Sequence, residues 1–403
     1  MPVITRVVGG KSQKYAIAVR VCVVYDCLFP WTVGGAERWY RNLAERLAAE
    51  GNLVTYLTLR QWERGERVEL AGSRVVTAGP RMALYKEGGR RRILPPIMCG
   101  LGVLAHLLRN GRRYDVVHTA SFPYFSLLAA GALRPLGRFA LVVDWHEVWT
   151  RAYWREYLGF LAGAIGYAVQ LVCVRLAQRA FCFSRLHAAR LRGEGLRGEL
   201  TVLEGEYGGP LDMPALQPAE SLVVVAGRMI PEKRVPLGVA AVAAAAERIP
   251  SLRGAFFGDG PEREEVLAEI ARHDAQARIS APGFVDAGQI EQALSQALCM
   301  LLPSRREGYG LVVVEAAARG TPSIVVAGED NAATELIEEG VNGFVASAAD
   351  AATIAAAIVR VHEAGVALRK STAAWFAANA RRLSLESSLE KVLEHYPTAS
   401  ARA

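Results

Sequence analysis

The sequence predicts an α/β protein with two doubly wound parallel sheets that face each other across a cleft. Three observations predict it: β-rich runs alternate with helical ones, a Gly- and Pro-rich segment (205–220) interrupts the alternation, and the alternation then restarts. Strands that alternate with helices form parallel sheets with right-handed crossovers. Ligands of such sheets lie beyond the carboxyl ends of the strands, so a ligand shared by both halves would lie in the cleft.

Short buried runs predict the strands of the first half, at Ala16–Tyr25, Val54–Leu59, Asp115–His118, Phe139–Asp144 and Ala180–Ser184. Apolar residues at helical spacing predict helices at Glu37–Glu50, which Gly51 ends, and at Leu101–Leu108. The segment Tyr157–Val174 has no charge over 18 residues, close to the shortest length that spans a bilayer. Its glycines and its glutamine favour a buried or interfacial helix.

The second half repeats the same pattern. Its predicted strands are Leu222–Ala226, Gly254–Phe257, Ile279–Pro282, Cys299–Pro303 and Ser323–Ala327, and its predicted helices are Val235–Arg248, Glu262–Arg272, Ile290–Gln296 and Val312–Ala318. The length of 403 residues agrees with two or three domains.

Charge divides the two halves. Residues 1–200 carry 29 Lys and Arg against 14 Asp and Glu, whereas the remaining residues carry 18 against 26. A basic half favours anionic partners, such as phosphates, nucleic acid or a membrane face; the alternative is a solvated surface that keeps the protein soluble. The six cysteines form no CxxC pair and the N-terminus lacks an apolar signal region, so we expect a reducing, cytoplasmic location.

Several short motifs do not have the context that their chemistry needs. The GxGxxG at 193–198 precedes a strand, the P-loop-like 5–12 has Thr5 in place of a glycine, and in the HExxH-like 146–150 a second zinc ligand is replaced by Thr150. We therefore expect no zinc site and no dinucleotide fingerprint.

Two loops at predicted carboxyl ends suit an anion. Gly34 and Gly35 stand between the first strand and its helix, where glycines permit positive φ and close approach of a ligand to a helix start. Arg228 and Lys233 lie on the loop after the first strand of the second half. Two cations there suit a diphosphate; a tight turn and two solvated charges are the alternatives.

The sharpest signal is the segment SRREGYGLVVVE at 304–315. Glu307 and Glu315 are separated by a Gly-rich turn into a helix, where Gly308 and Gly310 let backbone N–H groups face a ligand. Glu315 lies in an apolar helix, where a carboxylate needs hydrogen bonds. Sugar or ribose hydroxyls would supply them, as would an internal hydrogen bond. His146 follows the strand FALVVD and is placed to bond a substrate hydroxyl, although a lone histidine is often structural.

Together these segments resemble the GT-B retaining glycosyltransferases of family 4 (GT4). The resemblance rests on GGAE at 34–37, GRMIPEK at 227–233, FGDG at 257–260, PGFV at 282–285 and the E-x7-E pair Glu307 and Glu315. Two positions depart from the family pattern: Arg234 stands where many relatives have glycine, and Glu204-Gly205 stands where they often have Asn-Gly.

The resemblance implies a GT-B fold with an N-terminal extension (1–14), an acceptor domain (15–208), a nucleotide-sugar domain (209–382) and a C-terminal helix and tail (383–403) that pack back on the acceptor domain. It also implies roles for single residues. Those that bind the donor would be Gly34, Gly35, Arg228, Lys233, Gly283, Phe284, Val285, Gly308, Tyr309, Gly310, Leu311 and Glu315, and the catalytic ones His146 and Glu307.

The implied reaction transfers a hexose from a nucleoside-diphosphate sugar to an acceptor hydroxyl with retention, without a metal or other cofactor. The expected partners are the donor, a carbohydrate or lipid-linked acceptor and an anionic membrane surface at the cytoplasmic face, with no nucleic acid. Two alternatives stay open: a non-catalytic protein that binds sugar nucleotides, and a nucleotide-sugar epimerase on the same fold.

Overall fold

The computed structural model describes residues 5–8, 11–14, 18–84 and 91–396. A short antiparallel hairpin, β1 (Thr5–Val8) and β2 (Lys11–Lys14), precedes the first domain. The strands of that domain are β3 (Arg20–Val24), β4 (Leu53–Leu59), β5 (Ser73–Gly79), β6 (Val116–Ala120), β7 (Ala140–Trp145), β8 (Gln178–Cys182) and β9 (Gly198–Val202). Its helices are α1 (Gly35–Ala49), α2 (Leu94–Asn110), α3 (Phe125–Gly137), α4 (Arg151–Leu158), α5 (Phe160–Val174) and α6 (Arg185–Gly193).

The second domain continues the alternation. Its strands are β10 (Leu222–Ala226), β11 (Arg253–Phe257), β12 (Ile279–Gly283), β13 (Cys299–Leu302), β14 (Arg306–Glu307), β15 (Ser323–Val326), β16 (Asp330–Asn331) and β17 (Gly343–Ala346). Its helices are α7 (Val235–Ala246), α8 (Arg263–Arg272), α9 (Ala287–Gln296), α10 (Leu311–Ala317), α11 (Ala351–Leu383) and α12 (Leu385–Glu394). Gly365 (φ 54°, ψ −137°) interrupts α11.

Both sheets are parallel and doubly wound. The first has the order β5-β4-β3-β6-β7-β8-β9 and the second β12-β11-β10-β13-β15-β17. Each order reverses beside the domain's first strand, at β3/β6 and at β10/β13, and such a reversal opens a crevice at the carboxyl edge. Helices cover both faces, so strands such as β6 and β13 are buried along their whole length. The predicted fold class, two Rossmann-like domains of GT-B type, is confirmed.

The C-terminal segment crosses to the first domain. Tyr207 pairs with Ser384 at the end of α11, and α12 then lies against α1, where Arg46 Nη1 is 2.6 Å from Glu386 Oε1. Beyond α12, the Tyr396 hydroxyl lies 2.6 Å from Nδ1 of the buried His118. Tyr396 is therefore held in the core of the first domain.

The uncharged segment 157–174 is not one continuous helix. Gly159 (φ 85°, ψ 174°) separates α4 from α5, and α5 has 15 residues, fewer than the ~20 that a spanning helix needs. Within the described ranges, α11 alone is long and apolar enough to cross a membrane by length and composition. Its Ile354, Ile358 and Phe376 are buried, as in a core helix. All six cysteines are buried and free.

Candidate active site

The first wall of the cleft is the turn from β3 into α1. Gly34 is the N-cap of α1 with φ −173°, an extended conformation that any residue adopts, and Gly35 is the first helical residue. The expectation that this glycine pair uses positive φ is wrong. A Cβ on Gly34 would lie 2.3 Å from Oε2 of Glu37, whereas a Cβ on Gly35 would meet nothing within 4 Å. The start of α1 is therefore open to a ligand.

His146 follows β7 at the same carboxyl edge. Its ring stacks on Phe183 at 4.6 Å and 3° and meets the edge of Tyr40 at 5.9 Å. Nε2 is buried and has no hydrogen-bond partner in the described chain, and Nδ1 lies 3.9 Å from Oε1 of Glu206. Burial lowers the pKa of His146, so the imidazole is neutral at pH 7. Packing fixes the ring while its nitrogens remain available.

Arg228 and Lys233 follow β10 in the second domain. Arg228 is exposed and comes directly after Gly227, which has φ 157°. It lies close enough to Glu37 of the first domain to lower the pKa of that carboxyl, which burial otherwise raises. Lys233 closes a 3-10 turn (Pro231–Lys233), and its Nζ lies 2.5 Å from Oε1 of Glu307. The structure thus brings Lys233 against the first glutamate of the E-x7-E pair.

The loop 308–311 presents unused backbone donors. Gly308, Tyr309, Gly310 and Leu311 are not hydrogen-bonded through their N–H groups to any residue that the structure describes. Gly310 has φ 101°, and a Cβ there would lie 2.6 Å from Cβ of Ala333, so glycine is required. A Cβ on Gly308 would lie 2.5 Å from the carbonyl oxygen of His146. The loop therefore touches the His146 segment, as a shared site requires.

Glu315 lies half-buried in α10. Burial raises the pKa of its carboxyl, and the nearby guanidinium groups of Arg38 and Arg319 oppose that shift. Arg38 belongs to α1, so the second glutamate of the motif faces the first domain. Its carboxylate accepts no hydrogen bond within the described ranges, and the internal hydrogen bond that the sequence left open is not observed.

Further contacts across the cleft hold the two domains together beside the site. Arg306 Nη2 lies 2.8 Å from Glu147 Oε2, and its guanidinium stacks 3.5 Å from the ring centroid of Tyr153. The hydroxyl of Tyr153 donates to Glu232 Oε1 at 2.9 Å. Because Arg306 precedes Glu307 directly, these contacts fix the position of the motif relative to His146.

Three predicted donor-binding residues, Gly283, Phe284 and Val285, lie at the end of the edge strand β12 and directly after it. Gly258 N donates to Gly283 O at 2.9 Å, and Gly227 N donates to Phe257 O at 3.0 Å, so the ends of β10, β11 and β12 form a continuous ledge. Gly283 has φ 93°, and Phe284 beyond it is 74% exposed. Phe284 and Val285 thus follow β12, the edge strand of the sheet, and neither forms a hydrogen bond with Lys233 or Glu307.

Sequence reasoning assigned no role to Glu206, Glu147, Arg38 or Arg306. Glu206 belongs to the Gly- and Pro-rich stretch that the sequence marks as a linker, so its composition points away from a site. Arg306 is adjacent to the motif and could have been found by that adjacency. Among the described residues, no group of three or more His, Cys, Asp or Glu could hold a metal ion.

Comparisons with known proteins match both halves of the chain. The family model described as "Glycosyltransferase Family 4" matches residues 33–204, and that described as "Glycosyl transferases group 1" matches residues 214–382. A glycogen synthase of Mycobacterium tuberculosis is 30% identical over 370 residues, which cover 86% of each chain. A kanosaminyltransferase of Streptomyces kanamyceticus is 31% identical over 124 residues, 31% of this chain and 32% of that protein.

Solved structures share the fold over almost the whole chain. Sucrose-phosphate synthase from Thermosynechococcus elongatus superposes with a TM-score of 0.77 at 20% identity, over 94% of this chain and 98% of that chain. Anabaena HepE in complex with UDP-glucose gives a TM-score of 0.71 at 17% identity, over 93% and 98%. At these identities the likeness concerns the fold alone.

Proposed function

Because the chain belongs to the group 1, GT4-type glycosyltransferases, we propose that it moves a hexose from a nucleoside-diphosphate sugar to an acceptor hydroxyl with retention at the anomeric carbon. The observation that carries this proposal is the convergence of Lys233, Glu307 and the free N–H groups of 308–311 at one carboxyl edge, opposite His146. Cationic and N–H donors suit phosphate oxygens, whereas carboxylates and imidazole suit sugar hydroxyls.

The leaving diphosphate would lie between the two domains. Arg228, Lys233 and the amides of 308–311 would stabilise the negative charge that develops on it as its bond to C1 breaks. The open start of α1 at Gly34 and Gly35 would face it from the other domain. The ledge at Gly283, Phe284 and Val285 would border the nucleobase, and Glu315 would bind the ribose hydroxyls.

The sugar would lie near His146 and Glu307, which bind its hydroxyls. The transition state carries positive charge on the sugar ring, which Glu307 stabilises electrostatically. As the bond from C1 to the leaving oxygen breaks, a bond from C1 to the acceptor oxygen forms on the same face. The acceptor proton passes to the leaving phosphate oxygen. These steps need no metal, and activity that survives excess EDTA would support that part of the proposal.

An exposed apolar stripe on the first domain supports an acceptor held at a membrane. Leu161, Ile165, Ala168 and Val172 are exposed and recur along one face of α5, and Phe160 at its start is 67% exposed beneath the guanidinium of Arg155, 4.7 Å from the ring centroid. Together with the excess of Lys and Arg in residues 1–200, this face suits an anionic bilayer surface. Lys86 and Arg90, which form a basic cluster in the sequence with Arg91 and Arg92, lie outside the described residues.

The decisive experiment incubates the protein with UDP-, GDP- and ADP-hexoses, with and without candidate acceptors. UDP-glucose, named in the Anabaena structure, is the first donor to test. Free nucleotide that appears only with acceptor supports transfer, a changed sugar indicates epimerisation, and binding without turnover indicates a non-catalytic protein. The anomeric proton coupling of the product, measured by NMR, tests retention.

Co-sedimentation tests the membrane part separately. Vesicles of phosphatidylcholine with and without phosphatidylglycerol should differ, with stronger and salt-sensitive binding to the anionic ones. Ile165→Glu should weaken this binding without altering transfer to a soluble acceptor. Equal binding to both vesicle types, or none, would contradict the membrane proposal and leave the transferase proposal intact.

A further inference from the structure

Glu206 lies at the carboxyl edge of the first sheet, beside His146, although no motif includes it. It follows β9, next to the residues that follow β8 and β7 in the sheet order, namely Phe183 and His146. Tyr309, in the loop after Glu307, donates its hydroxyl to the carbonyl oxygen of Glu204 at 2.8 Å. Glu206 therefore lies between a site residue of each domain.

The carboxyl group of Glu206 is nearly buried and unused. Its side chain is 12% exposed, and it accepts or donates no hydrogen bond within the described ranges. His146 lies beside it, with Nδ1 3.9 Å from Glu206 Oε1, and the other ring nitrogen of His146, Nε2, is buried without a partner among the described residues. A buried polar atom without a partner is rare in native proteins because its desolvation is costly, so the unpartnered Nε2 of His146 indicates that a ligand binds beside this pair.

The separation of the pair suits one bridging hydroxyl. Glu206 Oε1 and His146 Nδ1 are 3.9 Å apart, which is too far for a direct hydrogen bond. An oxygen placed off the line between them reaches both at ~2.8 Å, an ordinary hydrogen-bond length. A hydroxyl both donates and accepts, so it can satisfy one group with its proton and the other with a lone pair.

The electrostatic surroundings of Glu206 exclude an anion. Burial and the nearby carboxylate of Asp144 raise the pKa of Glu206 to about 8, so at neutral pH it is mostly a neutral acid that can donate a hydrogen bond. Tyr309 is also neutral there because burial raises its pKa, and His146 is neutral as well. A bound carboxylate or phosphate would be repelled by the carboxylate of Asp144.

We propose that Glu206 is a further substrate-binding residue, which shares one hydroxyl of the transferred sugar with His146 and selects a neutral hydroxyl over an anionic group at that position. The sugar is the relevant part of the donor because Gly308, next to Glu307, abuts the carbonyl oxygen of His146, whereas the nucleobase ledge at Gly283 lies at the other end of the site. This inference rests on the proposed function.

Calorimetric titration tests it with two ligands, a free nucleoside diphosphate and its glucose conjugate. The nucleotide is whichever of UDP, GDP and ADP raises the wild-type melting temperature most. Glu206→Ala should weaken binding of the glucose conjugate about ten-fold, the value of one hydrogen bond to a buried group, and binding of the free diphosphate less than two-fold. Glu206→Gln keeps a donor and an acceptor and should lose no more than about three-fold.

Glu204→Gln is the matched control, because this carboxylate lies two residues away and pairs with Arg382 at 3.0 Å. It should bind both ligands like the wild type. Unchanged affinity of Glu206→Ala for the glucose conjugate, or an equal loss for both ligands, would overturn the role of Glu206. A rise only in the KM of the acceptor would overturn its assignment to the transferred sugar.

The glucuronate conjugate tests the selection against anions. The wild type should bind it at least ten-fold more weakly than the glucose conjugate, and Glu206→Gln should keep about that ratio, because an amide is neutral like the protonated acid and the carboxylate of Asp144 remains in place. Equal binding of the two conjugates by the wild type would overturn the selectivity. A wild type that binds none of the three glucose conjugates would refute the proposed function itself, a result distinct from any difference between variants.

Discussion

Lys233 and Glu307 form an ion pair across 74 residues of sequence, with Nζ 2.5 Å from Oε1. The pair joins the turn after β10 to β14, and both side chains are largely buried, with 24% and 10% exposed. The cation that we propose for the diphosphate and the carboxylate that we propose for sugar hydroxyls therefore hold each other in place. The site is thus ordered by its own charges.

Double substitution tests this coupling. Lys233→Ala leaves the carboxylate of Glu307 without a countercharge, and Glu307→Ala leaves the ammonium alone, so each should lower the melting temperature. The double variant should lose less than the two single losses together, because the pair contributes about 1 kcal/mol of coupling when partly exposed. Differential scanning fluorimetry measures all four proteins, and strictly additive losses would show that the pair contributes nothing.

Arg228→Ala should lower the rate ~100- to 1,000-fold at saturating donor, the usual effect of removing one donor that stabilises transition-state charge. Arg248→Ala is the control, since Arg248 pairs with Glu363 at an exposed position, and its rate should stay within two-fold of wild type. Initial rates of nucleotide release give the comparison. A loss below three-fold for Arg228→Ala would remove this residue from the proposed mechanism.

Glu206 predicts a pH dependence of stability. Its pKa is raised from the usual 4.5 to about 8 in the folded protein, so the folded state holds this proton more tightly than the unfolded state. Stability is then lost as pH rises through the interval between those two values. Glu206→Gln has no such proton, so its melting temperature should gain on the wild type between pH 5 and pH 8.

Glu204 has a carboxylate that is exposed to solvent. The melting temperature of Glu204→Gln should therefore follow that of the wild type over this pH range. The neighbours of Glu206 do not disturb the comparison, because burial lowers the pKa of His146 and raises that of Tyr309, and the pKa of Asp144 is lowered despite burial because His118 lies beside it. A difference in melting temperature between Glu206→Gln and the wild type that stays constant from pH 5 to pH 8 would contradict the prediction.

Arg234→Gly should stabilise the protein by ~0.5–1 kcal/mol. Arg234 has φ 49° and ψ 40°, a left-handed conformation that costs a residue with a side chain ~1–2 kcal/mol. Glycine avoids this cost, but it loses more conformational entropy on folding, which offsets part of the gain in stability. Glu247→Gly, at φ −63° and ψ −32°, should destabilise instead. Urea unfolding compares the two, and a loss of stability in Arg234→Gly would show that its guanidinium contributes more than the strain costs.

Local sequence patterns predicted the fold well where the residues of one strand or helix are sufficient to identify it. The apolar run Cys299–Pro303 and the alternation that follows each strand led to β13 and to the parallel second sheet, because burial on both faces needs a continuous apolar strand. The same reasoning was wrong where one residue breaks a run. Gly159, with φ 85°, divides the uncharged segment into two helices. Hydropathy does not reveal this break, because it carries no information about backbone angles.

The predicted site divides in the same way. Glu307 and Glu315 follow from a spacing within one loop and helix, so the sequence alone placed them. Glu206 was hidden in a segment with linker composition, and only the order β7-β8-β9 brings it to His146. No periodicity along the chain encodes which strand ends become neighbours.

The sequence by itself determined two parallel sheets, the carboxyl edges that carry the site, and the family, because these depend on residue types at fixed short spacing. Tertiary structure alone decided that Lys233 meets Glu307, that Arg38 faces Glu315, and that Glu206 stands beside His146. Each of these pairs joins separate elements, and their distances depend on how sheets and domains pack. Packing depends on interactions among residues from the whole chain, so it cannot be predicted from any short segment of the sequence.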